Sequence, residues 1–269
     1  MSSMGTLNGT ASDRPILFFL AVLVAYSTAV ATAIYTVLGG VSPRLRVAMY
    51  AWGPMVGAGV TVWMSDESLR NWLGQLRNLR VGVRWYLVGV GIMVIGTEFE
   101  NIVALILGGD MSAPAAPPAT YLFLFGFTLF FAGALEELGW RGFLQPRLQR
   151  RFSALSASIG IGLLWGLWHV PMILAGLGNF TNFGEYMVNI VAVSIIFGWL
   201  YNSTKAALPV VMITHASHNM PPVATGDVPA VFDFVSGDTV LYVSCAAIIV
   251  LYAGAQTLTQ DRTPPDIPG

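Results

Sequence analysis

Glu136, Glu137, His169, His215 and Asn219 stand in stretches of this chain apolar enough to lie in hydrocarbon, and Arg141 follows just behind the glutamates. Only 10% of the residues are charged and only 3 are histidines, so ionisable groups at these positions need a reason. A charged side chain at the centre of a bilayer costs at least about 2.5 to 3.5 kcal/mol on insertion scales, and such residues are normally paired and functional. Carboxylates, imidazoles and an amide gathered in one pocket could activate water and stabilise an oxyanion, which is the chemistry of peptide hydrolysis.

The first group is Glu136-Glu137-Leu138-Gly139-Trp140-Arg141. Glu137 and Arg141 are four apart, share a helical face and can form an ion pair that neutralises one carboxylate. Glu136 points about 100° away and is left free to act as a general base. The same charges also read as a mixed-sign helix end at the water interface. The second group is Trp165-Gly166-Leu167-Trp168-His169-Val170-Pro171, where the proline perturbs the helix just after His169 and frees backbone groups to line a cavity. A lone histidine there is equally a hydrogen-bonded packing residue. In Thr214-His215-Ala216-Ser217-His218-Asn219, His215 and Asn219 lie on one helical face and both can donate to an oxyanion. His218 is near the same face, and spacing does not choose between the histidines. Glu136, His169 and His215 could instead hold zinc, which would activate the same water. The chain has neither a His-Glu-x-x-His helix nor a set of thiolates.

The elements that must position these groups follow from composition. With 55% hydrophobic residues and a mean hydropathy of +0.67, the chain reads as an all-α polytopic membrane bundle with an intramembrane active-site cavity. Eight candidate spans run approximately over 15–38, 47–64, 85–107, 119–135 and onward, 153–174, 185–201, 206–220 and 239–258. They form one membrane domain over 1–269, with a motif-bearing core at about 119–220 and polar tails at 1–14 and 260–269. The first span lacks a cleavage site and reads as an anchor. Small residues such as Gly53, Gly57, Gly160 and Gly162 allow close helix approach. The net charge of −1 and the lack of a basic patch give no sign of a nucleic-acid partner. Cys245 has no intrachain partner with which to form a disulfide.

Basic residues set the orientation. Arg14, Arg70, Arg77, Arg80, Arg84, Arg141, Arg147, Arg150, Arg151, Lys205 and Arg262 fall on one side, leaving only Arg44 and Arg46 of the 13 on the other. The positive-inside rule then predicts a multi-pass cell-membrane protein with both termini cytoplasmic. The connections opposite are rich in Pro and Ala at 108–120 and carry Asp227, Asp233 and Asp238 at 221–238. Between Ser65 and Arg84, arginines interleave with Leu69, Trp72, Leu73, Leu76 and Leu79, which suits either a helix on the anionic inner leaflet or an ordinary loop. At about 1.5 Å per residue, Glu136 lies about 16 Å from Arg147 and His215 about 15 Å from Lys205, but His169 about 27 Å from Arg151. Tilt, or a bend near Pro146, would be needed to bring them level. Glu98, Glu100 and Asn101 offer a different reading, an ion or proton path of a transporter, or else an outer helix cap.

These motifs resemble those of the CAAX protease and bacteriocin-processing family of intramembrane glutamate endopeptidases, which includes the type II CAAX prenyl endopeptidases. Glu136-Glu137 with Arg141 is similar to the family's Glu-Glu-x-x-x-Arg element, continued by Gly142-Phe143-Leu144. Trp165 to His169 resembles its aromatic-x-x-x-His element, with Trp in place of the usual Phe, a conservative departure, and His215 with Asn219 resembles His-x-x-x-Asn, which favours His215 over His218. The resemblance covers about 121–220. It implies that Glu136 activates water, His169 holds and polarises it, His215 and Asn219 form the oxyanion hole, and Glu137 and Arg141 support the geometry. It also implies no metal cofactor and a membrane-associated peptide or protein substrate, sometimes cut next to a lipidated cysteine.

Overall fold

The computed structural model describes residues 10–111, 114, 116–177, 182–224, 226 and 229–263. Most of the two polar tails, Asp227 and part of the Pro- and Ala-rich loop lie outside the described residues. The chain is a helical bundle, and the described residues contain no β-sheet beyond an isolated bridge between Met111 and Gly226.

Helix α1 (Pro15–Thr36) is long and uniformly apolar, and the proline in its first turn lacks only an N–H that has no helical partner anyway. The second window is divided at Trp52 into α2 (Pro43–Ala51) and α3 (Gly53–Met64), each opened by a proline in its first turn. The interleaved segment after it forms a short helix, α4 (Leu69–Gly74), capped by the Ser68 hydroxyl and continued by a tighter turn at Gln75–Arg77. Helices α5 (Val83–Thr97) and α6 (Phe99–Ile106) meet at Glu98 with a bend of 62°. Helix α7 (Pro118–Phe131) leads into the irregular motif segment and then α8 (Gln145–Gln149). Ser153 caps α9 (Ala154–Trp168), which steps through His169 into α10 (Val170–Leu174), and Asn182 caps α11 (Phe183–Ser203). Two shorter apolar helices follow, α12 (Leu208–His218) and α13 (Gly237–Ala253).

Among the described residues, four helical stretches, 15–36, 118–149, 154–174 and 183–203, are long and apolar enough to cross a membrane, and a fifth is gained if α5 and α6 are one bent span. The other three windows are helical but shorter, α2 with α3, α12 and α13.

The motif segment lies at the centre of the bundle. Trp140, Arg141, Phe143, Leu144 and Gln145 have no exposed surface. A buried polar ladder joins it to α11: the Arg141 Nη2 donates to Ser194 Oγ (2.9 Å), the Gln145 Nε2 donates to Asn202 Oδ1 (2.9 Å), and the Asn202 Nδ2 donates to Gln149 Oε1 (2.7 Å). The fourfold spacing of 141, 145 and 149 against 194, 198 and 202 stacks these rungs along two packed helices. Such groups are tolerated in an apolar interior because each side chain of the ladder is paired at least once, although Arg141 Nε and Gln145 Oε1 have no hydrogen-bond partner among the described residues.

Candidate active site

Regular helix stops at Ala132, whose backbone (φ −135°, ψ −130°) is not helical. Gly133–Glu136 then winds as a tight turn, Glu137–Gly139 as a single helical turn, and Trp140–Leu144 as a wide π-helical turn. Irregular winding frees carbonyls that hydrocarbon cannot satisfy. Side chains of neighbouring elements supply the donors. The Trp52 indole N–H donates to Phe131 O (2.9 Å), Trp72 Nε1 to Leu138 O (3.2 Å) and Gln75 Nε2 to Gly142 O (3.0 Å). Residues 69–77 thus brace the back of the motif segment instead of forming a loose loop. Close packing adds a further constraint: a Cβ on Gly139 would collide with Pro54 O on α3.

The two glutamates have different surroundings. Glu137 is fully buried and accepts two hydrogen bonds from Arg141 Nη1 (3.1 and 3.0 Å), while its Oε1 also meets His215 Nδ1 at 2.6 Å. The Arg141 guanidinium lies over the rings of Trp165 and Phe197, 5.3 and 5.0 Å from their centroids. Glu136 is 3% exposed and accepts from the Trp165 indole N–H at 2.7 Å. It also lines a cavity of about 1170 Å³ together with His169, His218 and Asn219, walled by Tyr50, Phe127, Thr128, Trp168 and Met172. The ion pair anticipated between Glu137 and Arg141 is present, and Glu136 is the glutamate that faces open space.

The depth mismatch shrinks to about one helical turn once α9 is measured from its first residue and Trp165 is taken as the reference. Trp165 is eleven residues after the start of α9, and Glu136 is eleven before Arg147, so both lie about 16 Å from the basic end. The Trp165 and His215 rings also lie against each other, tilted by 56° with centroids 5.2 Å apart. Glu136, Glu137, Trp165 and His215 therefore occupy one layer. His169 and Asn219, each four residues further on, occupy the next layer, one turn closer to the cavity mouth.

The histidine tautomers follow from their partners. His169 Nδ1 lies 2.8 Å from Trp165 O, and a carbonyl only accepts, so Nδ1 carries the hydrogen and Nε2 presents its lone pair when the ring is neutral. His215 Nδ1 donates in the same way to the Glu137 carboxylate. His215 Nε2 can then donate to an oxyanion only when the ring is an imidazolium. Among the described residues, no three His, Cys, Asp or Glu side chains converge to hold a metal ion.

Gly133 escaped the sequence reading, and so did the hydrogen bond that Trp165 gives. Gly133 forms the cavity floor, where an added Cβ would lie 2.6 Å from Asn219 Nδ2 and 2.9 Å from His215 Nε2. Both donors therefore border the space that this missing side chain leaves open. Trp165 is also more than a substitute for Phe, because Phe has no N–H to give Glu136. Glu98 and Glu100 lie elsewhere, accepting from the backbone amides of Val223 (2.5 Å) and Gly237 (2.7 Å), while the Asn101 Nδ2 donates to Ala224 O (2.6 Å). They tie down the backbone at one end of the bundle.

Comparison with known proteins adds a likeness over part of the chain. Residues 118–221 match the family described as type II CAAX prenyl endopeptidase Rce1-like. The match spans every residue of the layered site, from Gly133 to Asn219. A curated relative, CAAX prenyl protease 2 of Methanococcus maripaludis, is 31% identical over 102 residues, which are 35% of this chain. The chain spans 38% of the length of that relative.

Proposed function

We propose that this protein is an intramembrane endopeptidase that hydrolyses a peptide bond of a membrane-associated polypeptide, with Glu136 as general base. The observation that carries this reading is a single cavity floored by Glu136 and Gly133, with Asn219 Nδ2 and His215 Nε2 both bordering the gap above Gly133. The match to a prenyl endopeptidase family over the same residues supports it.

Water enters the cavity and donates one hydrogen bond to Glu136 and another to the lone pair on His169 Nε2. Glu136 takes a proton as the oxygen attacks the scissile carbonyl. The carbonyl oxygen gains negative charge and accepts from the Asn219 amide and from His215 as imidazolium, whose charge is matched by Glu137. Glu137 in turn is held by Arg141, so the pair Glu137–Arg141 orients His215 without touching substrate. Collapse breaks the C–N bond, and the proton held by Glu136 passes to the leaving amine. No step is routed through a metal. Both termini lie in the cytoplasm on this reading, as the basic residues favour.

A comparison of membrane proteomes from cells with the active protein and with Glu136→Gln tests the reading. Uncut substrates should accumulate in the variant while its fold is retained. Undiminished proteolysis by purified Glu136→Gln would eliminate the assignment of the base.

A further inference from the structure

We infer that an arginine-lined cleft between the start of α1 and the end of α8 holds the headgroup of an anionic phospholipid. This site is separate from the cavity above Glu136 and does not depend on the reaction there.

The cleft is a cavity of about 380 Å³, lined on one side by Asp13, Arg14 and Leu17 and on the other by Arg147, Arg150 and Arg151. Arg147 is already committed: its Nη2 pairs with Glu67 at 2.6 Å and its Nη1 donates to Phe143 O at 3.0 Å. Arg14, Arg150 and Arg151 are exposed, and among the described residues their guanidinium groups make no hydrogen bond or ion pair. Asp13 in the lining and Glu67 on Arg147 offset two of the four positive charges, so two remain for a ligand. A guanidinium is a planar fork that matches the oxygens of a phosphate, and basic pockets between membrane helices take anionic headgroups.

Depth in the bilayer decides which phosphate fits. Helix α1 has 22 apolar-rich residues, a rise of about 33 Å against about 30 Å of hydrocarbon, so Arg14 at its N-cap sits where hydrocarbon gives way to headgroups. Arg150 and Arg151 take the same level, between the end of one long apolar stretch at 149 and the start of the next at 154. Beside the arginines the surface turns apolar: Leu17 is 58% exposed, and Phe152, directly after Arg151, is 55% exposed. A phospholipid can place its phosphate on the guanidinium groups and its acyl chains along these side chains. A free phosphate would leave the apolar part uncovered, and a zwitterionic headgroup would leave the surplus positive charge unmatched. The two walls are packed on each other, since Phe19, on the next turn of α1 after Arg14, stacks on Phe143 with centroids 5.2 Å apart. A bound headgroup therefore clamps α1 to the segment that carries Glu136 and Glu137.

Native mass spectrometry of the purified full chain, with lipids titrated into detergent micelles, tests this. Phosphatidylglycerol should be retained about tenfold more tightly than phosphatidylethanolamine or phosphatidylcholine with the same acyl chains. Inorganic phosphate should displace it no better than chloride at matched ionic strength. Arg14→Gln, Arg150→Gln and Arg151→Gln should each weaken retention about fivefold, and together on the order of 100-fold. A second triple variant, Arg70→Gln, Arg77→Gln and Arg80→Gln, removes the same charge from another exposed stretch and should leave retention nearly unchanged. Equal retention of the three lipids, displacement by free phosphate, retention unmoved in the first triple variant, or equal losses in the two triples would overturn the inference. Monodisperse elution in detergent reports the fold of each variant, and the single substitutions carry the test if the first triple does not fold.

Discussion

The site has two layers that differ in how completely their polar atoms are engaged. Beneath Glu136, Glu137 holds Arg141 and His215, Arg141 reaches Ser194, and Gln145 and Asn202 hydrogen bond to each other, all without solvent. Above, Glu136 has one indole donor and the cavity, and Asn219 is exposed at the rim. Adjacent carboxylates in one sequence thus take different roles because both oxygens of Glu137 are engaged by Arg141 and His215 while Glu136 is left open to the cavity. A saturated group is held in place, and a group with spare acceptor capacity can receive a proton.

The sharpest way to break this contrast is to damage the saturated layer. Arg141→Met leaves Glu137 buried without its cation and should cost about 3 to 5 kcal/mol, seen as a large fall in Tm in detergent. A Tm near that of the unaltered protein would mean the layer is not structural. Glu136→Gln should do the reverse, lowering turnover about 10²- to 10⁴-fold while Tm stays close. Asn219→Ala removes an oxyanion donor and should lower kcat about 10²- to 10³-fold with little change in Tm, and an effect confined to KM would assign it to substrate binding instead. Ser194→Ala leaves Arg141 Nη2 short of a partner and should destabilise by about 1 to 3 kcal/mol, read by denaturation in detergent. The smallest effect is expected from chelators: incubation with 1,10-phenanthroline should leave turnover unchanged, and a loss restored by added zinc would reinstate zinc chemistry.

The polar residues of the site were legible because an apolar chain makes them conspicuous. Glu136, His169 and Asn219 could be singled out with no knowledge of how the helices cross, and the i to i+4 spacing of Glu137 and Arg141 gave their ion pair. What spacing could not give was depth. Counting along ideal helices left His169 about two turns out of register, because the residue of α9 level with Glu136 is Trp165, whose N–H reaches Glu136 across the bundle. Gly133 carried no signal at all, since its role is to leave room for atoms contributed by α12. The ladder partners Ser194, Gly198 and Asn202 did leave a trace, a fourfold repeat of small and polar residues in an apolar helix. Irregular winding at 133–144 was illegible, because the donors that make it tolerable come from Trp52, Trp72 and Gln75, far away in sequence.

The guanidinium of Arg141 has a geometric consequence. One nitrogen is fixed on Glu137, another on Ser194 Oγ of α11, and Ser194 passes its own hydrogen to Ser158 O of α9 at 2.7 Å. A rigid planar group of fixed width therefore gauges the separation of three helices from a common origin. A lysine, with a single nitrogen on a pliable stem, would keep the charge and lose the gauge. Trp165 and His169, which α9 carries, would then no longer be surveyed from the same point as Glu137.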